Sequence, residues 1–193
     1  MKRIIIVHGW DFTPDSNWYL WLKEELMIWK DQLDVKILKM PNTEAPVIEE
    51  WVNHIKQQII PKPDKNTYFV GHSIGCQTIM RYLETLDSKI GGALFVAGWF
   101  NLKNLEDEDV KKIVAPWLNT SINFGKIKNK IGYLRVILSD NDPYNYLEEN
   151  ARTFKERLNA FVYIEDKAGH FTGDKYQRIL TELLNVLRVF IKK

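Results

Sequence analysis

Residues 68–76 read YFVGHSIGC, an apolar run that leads directly into a serine with a glycine two positions away on either side. The spacing is G-x-S-x-G, the pattern in which a serine stands exposed at a sharp turn between a buried strand and a helix. Tyr68–Val70 has the composition of a strand, and residues 74–86 have the apolar periodicity of a helix. Because the flanking elements fit the motif, the stretch predicts a strand–turn–helix unit with Ser73 as a candidate nucleophile.

Similar short apolar runs alternate with longer helical patterns along the whole chain. The predicted strands are Ile4–Val7, Val35–Leu38, Tyr68–Val70, Ala93–Val96, Leu134–Leu138 and Phe161–Ile164, and the predicted helices cover residues 18–29, 45–60, 74–86, 146–159 and 174–191. This alternation predicts an α/β fold of one domain, residues 1–193, with a mostly parallel sheet of about six strands and helices on both faces. In such a sheet, functional residues lie at the carboxyl ends of the strands.

The composition is that of a globular protein. The 193 residues are 45% hydrophobic and 27% charged, and the net charge is only +2. So small a charge gives no reason to expect nucleic acid or an anionic membrane as a partner. The apolar run after Arg3 is too short for a signal peptide, no run approaches a membrane span, and Cys76 is the single cysteine. We therefore expect a cytoplasmic protein that is a monomer or a small homo-oligomer.

A serine hydroxyl is a weak nucleophile until a base accepts its proton, so the four histidines are the next candidates. His170 lies on the loop between the last predicted strand and the last predicted helix. That is the place of the base in the chain order serine, acid, histidine. His54 lies within a predicted helix, His72 should point away from the serine, and His8 ends the first strand. We expect His170 to be the base.

Two aspartates in the segment VILSDNDPY, residues 136–144, compete for the role of the acid. Asp142 is favoured because Pro143 follows it and cannot extend the strand, which places the carboxylate on the loop. Asp140 is the alternative, and capping a turn through its side chain is its other use.

The oxygen of a reacting carbonyl group needs hydrogen-bond donors as charge develops on it. The backbone N–H of Ile74, directly after the serine, is one candidate. The backbone N–H of Trp10, on the loop after the first strand, is the other. Trp99 and Phe100 directly follow the fourth strand, and we expect them to line the substrate pocket.

The longest stretch without a predicted strand lies between residues 96 and 134. It has room for one or two short helices, the first of which is highly charged, with the charged residues Glu106–Asp109 and Lys111–Lys112. A lid for long acyl chains would need a broad apolar inner face instead. The sequence therefore predicts little or no cap domain and a narrow pocket that prefers acyl chains of about two to six carbons.

Six segments carry a resemblance to a known family: IIIVHG (4–9), NWYLWLKEEL (17–26), KMPN (39–42), YFVGHSIG (68–75), SDNDP (139–143) and AGHF (168–171). With them the chain resembles the α/β-hydrolases, and more narrowly the small serine hydrolases related to retinoblastoma-binding protein 9. The resemblance implies a three-layer α/β-hydrolase-like fold with a compact core. It also implies a triad of Ser73, Asp142 and His170 and no metal or organic cofactor.

The chain departs from that family at two places. Residues 10–12 are Trp-Asp-Phe where relatives often have several glycines, and Asn145–Tyr146 stand where a hydrophobic residue and a proline commonly follow the acid. Neither change removes a chemical group that the mechanism needs.

These features predict a serine hydrolase that cleaves a small carboxylic ester or amide through an acyl-enzyme on Ser73. Two alternatives stay open at this point. One is a protein-interaction module that keeps the hydrolase fold and binds a protein partner, because a fold alone does not determine a function. The other is an acyltransferase, or a haloperoxidase-like enzyme, that uses the same three side chains.

Overall fold

The computed structural model describes residues 1–188, which form six strands and seven helices. The strands are β1 (Lys2–Val7), β2 (Leu33–Leu38), β3 (Thr67–His72), β4 (Ile90–Val96), β5 (Ile131–Ser139) and β6 (Phe161–Glu165). The helices are α1 (Tyr19–Leu26), α2 (Ile48–Gln58), α3 (Ile74–Glu84), α4 (Glu108–Asn119), α5 (Phe124–Lys128), α6 (Leu147–Leu158) and α7 (Gln177–Leu187). A 3₁₀ turn, Met27–Trp29, continues α1.

The strands form one sheet in the order β2-β1-β3-β4-β5-β6, and every neighbouring pair is parallel. Helices cover both faces, as the long apolar strands of a parallel sheet require. The expected three-layer α/β-hydrolase-like architecture is confirmed. Among residues 1–188, no helix is long and apolar enough to cross a lipid bilayer.

Side chains of successive strand residues point to opposite faces and so feed two cores. Ile4 and Ile6 of β1 are buried against α1 and α7, together with side chains of β3 and β4. Ile5 and Val7 are buried on the other face, where α2, α3 and α6 pack. The near-continuous apolar runs read from the sequence are therefore strands covered on both sides.

Most predicted helix boundaries differ from the structure by one to three residues, and the largest differences are in α1, α2 and α7. Helix α2 begins at Ile48 rather than at residue 45, because Pro46 disfavours helical backbone at the residue before it. Helix α7 begins at Gln177 and ends at Leu187, where Arg188 adopts a left-handed conformation with φ 51°. The expected extension of this helix to residue 191 lies partly outside the described residues. The spacing of apolar residues does not define the ends of a helix, because tertiary contacts and capping residues decide where it begins and ends.

The strand order brings the candidate residues to one edge of the sheet. The chain moves outward from β1 to β2 and then returns to β3 on the other side of β1, so the order reverses between β1 and β3. Such a reversal opens a crevice at the carboxyl ends of the two strands. Val7 pairs with Gly71, which sets the loops after β1 and β3 side by side. The loops after β4, β5 and β6 end at the same edge.

Candidate active site

The turn between β3 and α3 holds Ser73 in a backbone conformation that few residues adopt. Its φ and ψ are 52° and −120°, and a strained conformation of this kind persists only where the surrounding structure enforces it. A side-chain Cβ at Gly75 would lie 2.4 Å from the carbonyl oxygen of Val7, so only glycine lets α3 start so close to β1. The backbone N–H of Ser73 also donates to the carbonyl of Val96 at 2.9 Å. The serine is thereby fixed at the end of the sheet.

The side chains of Ser73, His170 and Asp142 lie in one hydrogen-bonded row. Oγ of Ser73 is 2.9 Å from Nε2 of His170, and Nδ1 of His170 is 2.8 Å from Oδ2 of Asp142. The other oxygen of Asp142 accepts the backbone N–H of Tyr144 at 3.0 Å, and the carboxylate is buried. A neutral imidazole in this arrangement can accept the serine proton while the aspartate holds its orientation.

Asp140 makes a different contact. Its Oδ1 accepts the backbone N–H of Lys167 at 2.8 Å, and so it fixes the turn that precedes His170. The neighbouring Asn141 accepts the N–H of Gly169 at 2.7 Å, and Ser139 Oγ accepts the N–H of Ala168 at 2.9 Å. The structure therefore brings Asp142, and not Asp140, to the imidazole. The three residues before Asp142 hold the loop that carries the histidine.

His72 points away from Ser73 and connects two loops of the site. Its Nε2 lies 2.9 Å from the carbonyl oxygen of His170, and its Nδ1 lies 2.6 Å from the hydroxyl of Tyr19. That hydroxyl accepts the backbone N–H of Gly9 at 3.2 Å. Burial, with a smaller contribution from the nearby His170, lowers the pKa of His72 to about 3. The ring is therefore neutral, donating from Nε2 to the carbonyl and accepting the tyrosine proton at Nδ1.

The other two histidines have no contact with Ser73. His8 is buried, and its Nε2 accepts the backbone N–H of Met40 at 3.1 Å. Burial lowers its pKa as well. His54 is part of α2, and it lines a separate shallow depression. Among the four histidines, the structure brings His170 to the serine.

Trp10 and Ile74 both line the cavity into which Ser73 opens. Ile74 is the first residue of α3, and the first N–H groups of a helix have no partner within that helix. The indole of Trp10 donates to the carbonyl of Glu44 at 2.8 Å, and this contact holds the loop after β1. The placement of both residues fits donors that face a bound carbonyl group.

Of the two aromatic residues expected in the pocket, the structure places only Trp99 there. Its indole Nε1 lies 3.3 Å from Oγ of Ser73, a contact that no sequence motif indicated. The expectation for Phe100 is wrong. Its ring packs against Phe124 and Phe154, with centroid distances of 5.4 and 4.6 Å, in the core beneath the loop. Consecutive residues leave the end of β4 in different directions, and only the first reaches the cavity.

The cavity is larger than the narrow pocket expected from the sequence suggests. The cavity holds about 720 Å³, and Val110, Ile113 and Val114 of α4 form part of its wall. These residues are spaced i, i+3 and i+4, which puts them on one face of the helix. The charged residues that argued against a cover lie at the start of α4, where Asp107 caps the helix by accepting two backbone N–H groups. Glu106, Asp107 and Asp109 line the cavity as well, so this wall is apolar along one face of α4 and acidic where the helix begins.

Comparisons with known proteins show which family the chain resembles. The model of the family described as serine hydrolase matches residues 4–187. YdeN of Bacillus subtilis (strain 168), provisionally described as a hydrolase, is 29% identical over 199 aligned positions that cover 100% of this chain and 97% of the relative. The crystal structure of the B. subtilis ydeN gene product has a TM-score of 0.85 at 25% identity and covers 97% of this chain and 100% of its own.

A solved structure of lower sequence identity shares the fold of this chain. Est1E of Butyrivibrio proteoclasticus, solved with ferulic acid bound, has a TM-score of 0.73 at 13% identity and covers 100% of this chain and 90% of its own. The family match, by contrast, runs from β1 to the last residue of α7 and includes every loop that lines the cavity. The chain belongs to the serine hydrolase family.

Proposed function

We propose that the protein hydrolyses a small carboxylic ester or amide through an acyl-enzyme on Ser73. The observation that carries the proposal is the row of two contacts, 2.9 Å from Ser73 Oγ to His170 Nε2 and 2.8 Å from His170 Nδ1 to Asp142 Oδ2. Ser73 and His170 line a cavity large enough for a small molecule. A nucleophile, a base and a group that orients the base are what acyl transfer requires.

In the first step, Oγ of Ser73 bonds to the substrate carbonyl carbon while its proton moves to Nε2 of His170. The carbonyl electron pair moves onto the oxygen, which receives hydrogen bonds from the backbone N–H groups of Trp10 and Ile74. When that pair returns, the bond to the alcohol or amine breaks, and His170 gives its proton to the leaving group. Water then repeats the sequence against the acyl carbon and restores Ser73.

The test of this proposal is labelling with a fluorophosphonate probe, together with hydrolysis of p-nitrophenyl butyrate. Wild type should be labelled at one site and should turn over the ester. Ser73→Ala should lose all labelling and about 10⁴-fold or more of the rate, since the residue that forms the covalent bond is absent. The fold should persist, because alanine removes only the hydroxyl and fits in the space that serine occupies.

Ser88→Ala is the matched control. Ser88 lies outside the cavity and donates from its hydroxyl to the carbonyl of Pro63 at 2.7 Å. This variant should keep wild-type labelling and turnover. If Ser73→Ala keeps its label, or if wild type takes none, the proposed function is wrong.

A further inference from the structure

The indole of Trp99 is in direct contact with the oxygen proposed to be the nucleophile. Its Nε1 lies 3.3 Å from Oγ of Ser73, and the residue is only 2% exposed. Four other indoles donate to backbone carbonyls: Trp10 to Glu44, Trp18 to Phe171, Trp51 to Pro41 and Trp117 to Pro46. Trp99 instead donates to a side-chain hydroxyl at the centre of the site.

This donor fits a single direction for the protons in the row, which the carboxylate of Asp142 sets because it can only accept. An indole N–H can only donate, so Oγ of Ser73 must accept from Trp99. The hydroxyl proton of the serine is then left to point at Nε2 of His170, 2.9 Å away. The ring proton lies on Nδ1, where it is donated to Asp142, and Nε2 is therefore the acceptor. The resting site is thus arranged for transfer of the serine proton to His170.

Buried polar groups hold Trp99 in place. Its carbonyl oxygen accepts from Nε2 of Gln77 at 2.8 Å, and Oε1 of Gln77 accepts from Arg81 at 3.3 Å. The next two backbone N–H groups both donate to Oδ1 of Asn150, at 2.7 and 3.0 Å. Gln77, Arg81 and Asn150 are all buried. A loop anchored in this way can hold a functional side chain within the narrow tolerance that catalysis needs.

We propose that Trp99 is a catalytic hydrogen-bond donor that stabilises the negative charge on Oγ of Ser73, with its larger effect on the breakdown of the acyl-enzyme. The proposal rests on the proposed function, since it assigns a role toward the same nucleophile. The indole keeps its proton throughout and takes part only as a donor.

In acylation, Oγ forms the bond to the carbonyl carbon while its proton moves to His170, so partial negative charge develops on Oγ. A hydrogen bond to a charged acceptor is roughly twice as strong as one to a neutral acceptor. The contact with Trp99 is therefore stronger in the transition state than in the resting enzyme, and only such a difference accelerates the step. Trp99 already donates a hydrogen bond to the neutral hydroxyl in the resting enzyme. The additional stabilisation of the acylation transition state is therefore limited.

In deacylation, water attacks the acyl carbon, a water proton moves to His170, and the bond from carbon to Oγ then breaks with its electron pair moving to Oγ. His170 returns the proton to that oxygen. Before this step Oγ is the alkoxy oxygen of an ester, which is a poor acceptor, and as it leaves it becomes a charged one. The gain from Trp99 is therefore larger here than in acylation.

The test replaces Trp99 with β-(3-benzothienyl)alanine, which keeps the shape of tryptophan but has sulfur in place of the N–H. Stopped-flow hydrolysis of p-nitrophenyl butyrate then gives the acylation and deacylation rates separately. Deacylation should slow about 10- to 100-fold and acylation clearly less, as expected for the loss of one bond to a charged oxygen. The acyl-enzyme should accumulate, seen as a burst and as a mass increase, and KM should fall.

The matched control is the same replacement at Trp51, a buried residue on α2 whose indole donates to the carbonyl of Pro41 at 2.8 Å. It should leave both rate constants unchanged. Unchanged rates in the Trp99 variant would overturn the proposal. Equal slowing of acylation and deacylation with an unchanged or higher KM would also overturn it, because a misplaced serine gives that result. Fluorophosphonate labelling of wild type tests the proposed function separately, so the two failures are distinguishable.

Discussion

Asp142 and Asp140 lie two residues apart but serve different partners. Asp142 contacts the imidazole of His170, and Asp140 accepts the backbone N–H of Lys167. Asp142→Asn should lower kcat about 10⁴-fold, because an amide can stabilise the wrong imidazole tautomer, as measured for this change in a well-characterised triad. Asp140→Asn should cost far less, since the amide oxygen still accepts the same N–H. The measurement is steady-state kinetics on both variants. A larger loss of kcat in Asp140→Asn than in Asp142→Asn would reverse the assignment.

His72 contributes to stability in a way that depends on pH. Its pKa is about 3 in the folded protein against 6.5 for an ordinary histidine, so between these values the unfolded chain binds the additional proton. Stability from this group is therefore complete above about pH 6.5 and is lost progressively as the pH falls toward 3. pH 4.5 is two pH units below the pKa of this histidine in the unfolded chain. The free energy of unfolding should therefore be lower there by on the order of 3 kcal/mol.

The measurement is the free energy of unfolding in guanidinium chloride at pH 7 and pH 4.5. His72→Gln removes this titration, so its stability should fall less between the two values than that of wild type. His54→Gln, on a partly exposed position of α2, should change the pH dependence little. An equal fall for wild type and His72→Gln would show that His72 is not the buried neutral ring described above.

At the scale of elements, the end of β5 holds the loop after β6. Ser139, Asp140 and Asn141 each accept one backbone N–H from residues 167–169, directly before His170. The base of the proposed mechanism is therefore positioned by its neighbours across the sheet edge rather than by its own loop. Gly169, with φ 59°, has the left-handed backbone that this tight loop needs.

Asn141→Ala should loosen that loop. We expect kcat to fall about tenfold with little change in KM, because a small displacement of a positioned base costs rate rather than binding. Asn123→Ala is the matched control, since its side chain accepts a backbone N–H at the start of α5, away from the cavity. That variant should lose about 1 kcal/mol of stability and no kcat. Equal kcat in both variants would contradict the positioning role.

At the scale of the whole molecule, the cavity is assembled from loops at the edge of the sheet and from the apolar face of α4. Val110, Ile113 and Val114 offer an acyl chain a surface to pack against, in a volume of about 720 Å³. Each buried methylene contributes about 0.8 kcal/mol, or roughly fourfold in kcat/KM. The value of kcat/KM for p-nitrophenyl esters should therefore keep rising beyond an acyl chain of six carbons. This prediction differs from the optimum at two to six carbons expected from the sequence.

Ile113→Asn should flatten that rise, because a polar side chain would replace apolar surface in the wall. Ile60→Asn is its control, since Ile60 is exposed and lies outside the cavity. The measurement is kcat/KM for esters of two to twelve carbons with wild type and both variants. A maximum of kcat/KM at two to six carbons in wild type would contradict this prediction and support the narrow pocket expected from the sequence.

The sequence by itself determined the architecture and the two elements on which the proposed mechanism depends. Strand and helix periods, together with the glycines at 71 and 75, are local signals, and they predicted the parallel sheet and the turn at Ser73. The position of His170 followed from the order of elements, because the carboxyl ends of parallel strands share one edge. These inferences need only spacing and composition, which the linear chain contains.

Only the tertiary structure decided where side chains point after the strands end. Pro143 favoured Asp142 over Asp140, and the contact with His170 decided between them; Trp99 rather than Phe100 reaches Ser73, which no local signal indicated. In loops, direction depends on backbone angles that distant partners fix, such as the contact of Gln77 with Trp99. The width of the cavity was decided in the same way, because it depends on which face α4 turns toward the sheet edge. Such contacts join residues far apart in the chain, and no local pattern records them.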